Sequence, residues 1–231
     1  MSASPSRAWF VTGTDTGVGK TRAAVALLHR LRADGLRAVG MKPVASGCVR
    51  TDDGWRNDDA LALQAASDPR PDYARVNPYA LPKATAPQLA ADAAGVRVAL
   101  PVLVDAARAL QAQADALVVE GAGGWLAPMD HGLDQSDLAR ALGLPVLLVV
   151  GVRLGCLSHA RLSARAIVAD GLPFSGWIAN LIDPGFEDAQ AYLDLLRAAL
   201  PAPCLGVVPW AEAPTPAALA AAVRAPDAIP A

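Results

Sequence analysis

Lysine is scarce in this chain, in which three lysines stand against seventeen arginines in 231 residues. A composition that uses Arg for most cations indicates that a Lys occupies a place where a compact ammonium is needed. Lys20 lies in Gly-Thr-Asp-Thr-Gly-Val-Gly-Lys-Thr (13–21), and Lys42 lies in Met-Lys-Pro-Val-Ala-Ser-Gly (41–47). Chance placement is the alternative, and it is stronger for Lys42 than for Lys20. We interpret the third lysine, Lys83, as a surface-loop residue.

Cysteine and histidine are scarce as well. Cys48, Cys156 and Cys204 lie far apart without a Cys-x-x-Cys pair, and the three histidines show no metal-ligand spacing. This pattern argues against a disulfide or zinc framework and favours a reducing, cytoplasmic setting.

Blocks of positive charge and long apolar runs are absent. The net charge is −2, so charge gives no indication of nucleic-acid binding. The longest strongly apolar run, 144–152, is too short to span a bilayer, and no secretory signal precedes the first predicted strand. We therefore expect no nucleic-acid partner and no membrane partner.

What is present is a composition typical of a globular enzyme, with 53% hydrophobic and 18% charged residues. The length predicts one domain over 1–231, with poorly ordered ends at 1–7 and 225–231.

Short apolar segments alternate with helical patterns along the chain. Strands are predicted at 9–12, 38–42, 116–120, 146–150, 175–180 and 205–209. Helices are predicted at 20–33, 58–66, 101–113, 136–142, 157–170, 186–199 and 215–223. Several strands are apolar without alternation, as in sheets covered on both faces. The pattern predicts an α/β fold of the P-loop NTPase type, a mostly parallel sheet with helices on both faces and ligands at the carboxyl ends of its strands.

The first predicted strand, the glycine-rich loop and the helix that begins at Lys20 give the context of a phosphate-binding loop. Backbone N–H groups and the helix N-terminus would bind phosphates, Lys20 would reach the β- and γ-phosphates, and the Thr21 hydroxyl would ligate Mg²⁺. The match is imperfect, because five residues rather than four separate Gly13 from Gly19. A lysine that some related ATPases carry early in this loop is replaced by Asp15.

Two carboxylates stand where a magnesium ligand would be expected. Glu120 ends an apolar strand and is followed by Gly-Ala-Gly-Gly (121–124), which leaves room for a ligand. A solvated Glu beside a turn is the alternative. Asp59 falls in the first turn of a helix capped by Asn57 or Asp58. Compensation of the helix dipole is an equally good explanation for Asp59.

Three later segments also follow predicted strands. Residues 155–158 open a helix whose free N–H groups could bind a carboxylate, or form a simple loop with Ser158 as N-cap. Asn180 offers a donor and an acceptor that suit a purine edge, although this signal is weak alone. Residues 209–212 likewise lie at the end of a predicted strand, the last one in the chain.

Together these segments resemble the dethiobiotin synthetase family of the biotin pathway. The matching stretches are 10–21, 42–47, 56–63, 76–79, 119–125, 154–156, 176–180 and 209–210. They run in order over nearly the whole chain, and Lys-Pro-Val-Ala-Ser-Gly together with Glu-Gly-Ala-Gly-Gly makes the resemblance specific.

The resemblance implies an ATP- and Mg²⁺-dependent carboxylation and ring closure of 7,8-diaminononanoate (diaminopelargonate). One amine takes up CO₂ to give a carbamate, whose oxygen attacks the γ-phosphorus of ATP. The second amine closes on the mixed anhydride and expels phosphate, which leaves dethiobiotin and ADP. Converging cations are needed because the carbamate and the triphosphate are both anions. A homodimer with the substrate near its interface is also implied.

Roles for individual residues follow from the same resemblance. The implied catalytic residues are Lys42, Lys20, Thr16 and Ser46. The implied ATP contacts are Gly17, Val18, Gly19, Lys20, Thr21, Arg22, Asp59, Glu120, Gly121, Ala122, Gly123, Asn180, Pro209, Trp210, Ala211 and Glu212. The implied substrate contacts are Thr16, Lys42, Ser46, Gly155, Cys156, Leu157 and Ser158, and the implied Mg²⁺ ligands are Thr21, Asp59 and Glu120.

The chain departs from the family pattern at Gly17, Arg153 and Leu181, where a family member has Glu, Lys and Asp. Two other functions fit parts of the sequence. One is an amide-forming synthetase of the cobyrinate type, which the Lys-Pro-Val-Ala-Ser-Gly segment disfavours. The other is a partitioning-type ATPase switch, which Asp15 and the net negative charge disfavour.

Overall fold

A computed structural model describes residues 7–226. The strands in chain order are β1 (Arg7–Gly13), β2 (Ala38–Met41), β3 (Val44–Ser46), β4 (Val49–Thr51), β5 (Gly54–Arg56), β6 (Tyr79–Leu81), β7 (Ala116–Gly124), β8 (Pro128–Asp130), β9 (Leu133–Asp134), β10 (Val146–Val152), β11 (Phe174–Leu181) and β12 (Cys204–Val208). The helices are α1 (Lys20–Ala33), α2 (Asp58–Ala66), α3 (Tyr73–Val76), α4 (Pro87–Ala94), α5 (Leu100–Gln111), α6 (Gln135–Leu142), α7 (Cys156–Ala169), α8 (Ala189–Ala199) and α9 (Pro216–Ala222).

The main sheet contains all six predicted strands, in the spatial order β12-β11-β10-β1-β7-β2. Every neighbouring pair in it is parallel. The predicted fold class is therefore confirmed. Parallel pairing requires a crossover after each strand, and the helices of the chain supply these connections.

Two apolar layers cover the sheet because alternate residues of its strands face opposite sides. Phe10 and Leu148 face a layer to which α4 to α8 contribute. Val11 and Leu147 face a layer built mainly from α1, α2 and α9. Burial on both faces accounts for the unbroken apolar run of β10, in which all seven residues are buried.

The carboxyl ends of the strands bring separate predicted segments to one edge. Val11 of β1 pairs with Glu120 of β7, and Gly151 of β10 pairs with Asn180 of β11. Lys42 follows β2 directly, and residues 209–212 follow β12. This is the edge where open parallel sheets bind ligands.

The sequence did not predict α3, α4 or the short strands. β3 pairs with β6, β4 with β5, and β8 with β9, in two-stranded sheets outside the main one. The predicted poorly ordered ends lie outside the described residues, apart from Arg7, which begins β1, and 225–226. Within 7–226, no helix combines the length and apolar character that crossing a membrane requires.

Candidate functional site

The loop between β1 and α1 has a backbone that requires glycine. Gly17 and Gly19 have φ values of 76° and 82°, in the left-handed region. A β carbon on Gly19 would lie 1.8 Å from Nδ2 of Asn180, so a larger residue would collide with β11. Gly19 is the N-cap of α1, which begins at Lys20 as predicted. The helix N-terminus is thus presented to the carboxyl edge of the sheet.

Lys42 lies between two carboxylates from different elements. Its Nζ is 2.5 Å from Oε1 of Glu120 and 2.9 Å from Oδ2 of Asp59. The Thr21 hydroxyl donates a 2.9 Å hydrogen bond to the same Glu120 oxygen. Four segments that are distant in sequence therefore bring one cation, two anions and a hydroxyl together.

These contacts settle two alternatives that the sequence left open. Glu120 is fully buried, which rules out a solvated strand-end residue. Asn57 is the N-cap of α2, since its side chain accepts a hydrogen bond from the N–H of Ala60. Asp59 is therefore not the N-cap, and its carboxylate pairs with Lys42.

The charges in the cluster move the pKa values of its members. Burial lowers the pKa of Lys42, but the charges of Glu120 and Asp59 outweigh burial and raise it above its ordinary value. Burial would raise the pKa of Asp59, but the Lys42 ammonium brings it below its usual range. Burial and then the charge of Lys42 lower the pKa of Lys20 to about 8. Lys42 is therefore a permanent cation at neutral pH, whereas Lys20 loses its proton more readily.

One oxygen of the cluster has no hydrogen-bond partner within residues 7–226. Glu120 Oε2 is buried and accepts no hydrogen bond from the described residues. An unpaired carboxylate oxygen in a buried place is costly unless a cation or donor reaches it. Glu120, Asp59 and Thr21 provide the hard oxygen ligands that Mg²⁺ prefers. Within 7–226, no group of three or more His, Cys, Asp or Glu residues could hold a metal ion.

A cavity of about 840 Å³ adjoins this cluster. The predicted residues that line it are Thr16, Gly17, Gly19, Lys20, Thr21, Arg22, Lys42, Ser46, Asp59, Glu120, Ala122 and Gly123. The lining residues to which the sequence analysis gave no individual binding or catalytic role are Ala45, Asn57, Ala84, Thr85, Ala86, Pro87, Gly124 and Ala127. Residues 84–87 escaped prediction because 84–86 form a short loop and Pro87 begins α4, whose helical pattern is weak.

The predicted nucleotide contacts outside this lining are Val18, Gly121, Asn180, Pro209, Trp210, Ala211 and Glu212. Asn180 is 3% exposed, and its Nδ2 donates a 3.0 Å hydrogen bond to the carbonyl of Val18. Its Oδ1 is buried without a partner among the described residues. The Arg22 guanidinium donates to the carbonyl of Ala211, which ties α1 to residues 209–212.

The predicted carboxylate site does not line the cavity of its own chain. Gly155, with φ 92°, is the N-cap of α7, which begins at Cys156. The alternative with Ser158 as N-cap is therefore wrong, and Ser158 lies in the first turn. Arg153, just before this turn, pairs with Asp15 of the phosphate-binding loop at 2.8 Å.

Comparison with known proteins decides the family. The family model described as an AAA domain matches residues 7–218. The chain is 60% identical over 219 residues to the ATP-dependent dethiobiotin synthetase BioD of Xanthomonas euvesicatoria pv. vesicatoria (strain 85-10), covering 95% of this chain and 98% of that protein. The chain belongs to the ATP-dependent dethiobiotin synthetase family. The resemblance identified from sequence is thus confirmed.

Solved structures show how widely this synthetase fold is shared. A ParA family ATPase from Chlorobium tepidum TLS matches with a TM-score of 0.54 at 15% identity, covering 89% of this chain and 85% of that one. The signal recognition particle receptor FtsY from Elizabethkingia anophelis matches with a TM-score of 0.52 at 18% identity, covering 90% of this chain and 58% of that one. At such identities the likeness concerns the fold, and the dethiobiotin synthetase assignment rests on the closer relatives.

Proposed function

We propose that this chain catalyses the ATP- and Mg²⁺-dependent carboxylation and ring closure of 7,8-diaminononanoate with CO₂, giving dethiobiotin, ADP and phosphate in biotin biosynthesis. The observation that carries the chemistry is the Lys42 ammonium, held by Glu120 and Asp59 at the wall of a cavity that the phosphate-binding loop also lines. A buried cation there suits a reaction in which a carbamate anion approaches a triphosphate.

The reaction needs charge stabilisation and positioning more than proton transfer from the protein. An amine of the substrate adds to CO₂ and releases a proton, and the carbamate oxygen then attacks the γ-phosphorus while ADP leaves. The second amine attacks the carbonyl carbon and expels phosphate. Lys42 would hold the carbamate oxygen, because its raised pKa keeps it charged. Thr16 and Ser46, which line the same cavity, would donate hydrogen bonds to the carbamate and the phosphate.

Mg²⁺ would be held by Thr21, Asp59 and Glu120 together with phosphate oxygens. The unpartnered Oε2 of buried Glu120 supports this placement, since it is an acceptor that the described residues leave unsatisfied. When bound, the ion would neutralise charge on the phosphates. Asp59 and Glu120 also hold Lys42, so the same two carboxylates would serve both cations.

ATP would lie along the phosphate-binding loop. The amides of residues 17–21 and the Lys20 ammonium would contact phosphates, with Arg22 and residues 121–123 beside them. Asn180 would recognise adenine with its free Oδ1, which accepts from an exocyclic amine. The segment Pro209, Trp210, Ala211 and Glu212 would form the other side of the base site, held by Arg22.

The substrate carboxylate would bind at the N-terminus of α7, at Gly155, Cys156, Leu157 and Ser158. These residues do not line the cavity of their own chain, which supports a homodimer in which a second protomer provides them. Leu154, beside this turn, is 79% exposed and offers apolar surface for such a contact. We further propose that the chain works as one domain in the cytoplasm, without a nucleic-acid or membrane partner.

The decisive experiment measures phosphate release from MgATP with bicarbonate, with and without the diamine, and detects dethiobiotin by mass. We expect diamine-dependent release matched by dethiobiotin. We expect Lys42→Leu to bind MgATP but to form no product, because the carbamate loses its cation. Lys83→Leu, at an exposed lysine outside the cavity lining, is the matched control. Hydrolysis without the diamine and without dethiobiotin would contradict the proposal, and near wild-type turnover of Lys42→Leu would remove Lys42 from the catalytic residues.

A further inference from the structure

Asp15 connects the phosphate-binding loop to the loop that precedes α7. β1 and β10 are parallel neighbours, with Gly13 paired to Val149, so the loops that follow them lie side by side. Arg153 Nη2, from the second loop, is 2.8 Å from Asp15 Oδ2. The other Asp15 oxygen, Oδ1, accepts a 2.7 Å hydrogen bond from the N–H of Thr16. Each oxygen of this carboxylate thus has a defined donor.

The contacts connect Arg153 to Asp15 and Asp15 to Thr16, which lies at the cavity. We call these three residues the relay. Thr16 lines the cavity, whereas Asp15 and Arg153 do not. A carboxylate held by a guanidinium on one oxygen is restricted in rotation, so its other oxygen keeps a fixed direction. The Thr16 backbone is bound to that second oxygen, and the position of its side chain follows from the backbone. Arg153 thus contacts the cavity lining indirectly, through Asp15 and Thr16.

Stability of the fold is a poor explanation for the ion pair between Arg153 and Asp15. Arg153 and Asp15 have side chains that are 44% and 48% exposed, and ion pairs of this kind contribute little to folding. Removing the pair should therefore leave the fold intact, so that an effect on catalysis can be measured separately.

We propose that Arg153 is a positioning residue, which through the Asp15 carboxylate fixes Thr16 in the orientation that the carbamate and the γ-phosphoryl group require. This inference rests on the proposed function, because it uses the role of Thr16 in that reaction. The cation comes from the loop that leads into the proposed carboxylate site. Within one chain, the relay therefore connects Thr16 to the turn that the proposed dimer would place in the site of the other protomer.

The test compares Arg153→Ala, Asp15→Ala and the double variant in dethiobiotin formation by the full chain. We expect each single variant to lower kcat about tenfold, since a small misplacement of a reacting group has effects of this order. KM for MgATP should stay near the wild-type value. The double variant should be no slower than the singles, because both break the same relay. Arg153→Lys should recover most of kcat.

Two measurements exclude a merely structural role. Arg140→Ala is the matched control, since Arg140 is also half-exposed, at 42%, and pairs with Asp137 and Asp170 away from the cavity lining. The kcat and melting temperature of Arg140→Ala should match those of the wild type. Arg153→Ala should have the same melting temperature as Arg140→Ala. Hydrogen exchange should be faster at the Thr16 amide in Arg153→Ala than in Arg140→Ala, because Asp15 is then free to rotate.

Several outcomes would overturn the proposal. These are Arg153→Ala with the kcat of the control, additive losses in the double variant, a raised KM for MgATP with unchanged kcat, unchanged exchange at Thr16, or a melting temperature well below the control. Failure of the proposed function is a separate result, because the wild type itself would then form no dethiobiotin.

Discussion

At the scale of single residues, Lys42 shows why a charge can be worth burying. It is 4% exposed and contacts two carboxylates, so an apolar residue of similar volume would avoid its desolvation but leave Glu120 and Asp59 facing each other unpaired. Burial of the set is costly for stability and useful for chemistry, since the field of a desolvated cation is strong. Lys42 and Glu120 therefore have to be considered as one unit.

Gly19 gives a prediction about sterics in the phosphate-binding loop. We expect Gly19→Ala to destabilise the protein by about 1–3 kcal/mol more than Gly35→Ala. The two glycines have nearly the same φ, 82° and 84°, but only at Gly19 does an added β carbon meet a neighbour, Asn180. Urea unfolding of both variants checks this. Equal destabilisation would show that backbone strain, rather than the contact with Asn180, decides the effect.

Lys20 gives a prediction about pH. Its pKa is about 8 in the folded chain and 10.5 in the unfolded one, so the unfolded chain binds more protons between these values and stability rises with pH there. The penalty is fully present below about pH 8 and amounts to roughly 3 kcal/mol at most. We expect Lys20→Met to be more stable than wild type at pH 7, with the difference shrinking by pH 10. Urea unfolding at several pH values tests this, and a difference independent of pH would contradict it.

At the scale of elements, α1 does more than present its N-terminus to phosphate. Its Arg22 holds residues 209–212 through the Ala211 carbonyl, so the helix fixes a loop that is distant in sequence. The same helix was predicted with its correct bounds, 20–33, because the glycines before it and its long apolar face are both strong signals. α4 was missed because eight residues with a proline at the start give little periodicity.

The tie between α1 and this loop leads to a binding prediction. We expect Arg22→Ala to weaken ATP binding about tenfold, because the side chain that would position the proposed base site is lost. Inorganic tripolyphosphate, which lacks the base, should bind with nearly unchanged affinity. Calorimetric titration with both ligands makes the comparison. Equal weakening of the two ligands would assign Arg22 to the phosphates instead.

At the scale of the whole molecule, the candidate site lies at one edge of the main sheet, because its six parallel strands all end on that side. One chain brings Lys42, Asp59, Glu120 and the phosphate-binding loop to a single cavity, but it leaves the N-terminus of α7 outside that cavity. The proposed dimer would complete the site with this turn.

Mixing two impaired variants, at a diamine concentration below the raised KM, tests the shared site. Ser158→Asp places a carboxylate in the first turn of α7, where it suits the helix dipole but repels the substrate carboxylate. We expect Ser158→Asp to raise KM for the diamine and leave MgATP binding unchanged. Mixed with Lys42→Leu under conditions of subunit exchange, it should recover activity, because one site of the mixed dimer is then intact. No recovery in mixed dimers verified by mass would show that each protomer completes its own site.

Local patterns were enough to predict the six strands of the main sheet, their succession along the chain and the family, because apolar runs, glycines and the Lys-Pro-Val-Ala-Ser-Gly segment are local signals. The sequence also predicted that Lys42, Glu120 and Asp59 belong to the candidate site. Tertiary contacts were needed to show that Glu120 is fully buried, with one oxygen that has no partner within 7–226, that Asp59 pairs with Lys42, and that Arg153 reaches Asp15. They were also needed to show that residues 84–87 line the cavity. These features depend on contacts between segments distant in the chain, and the packing of the sheet and its crossovers creates contacts that no local pattern records.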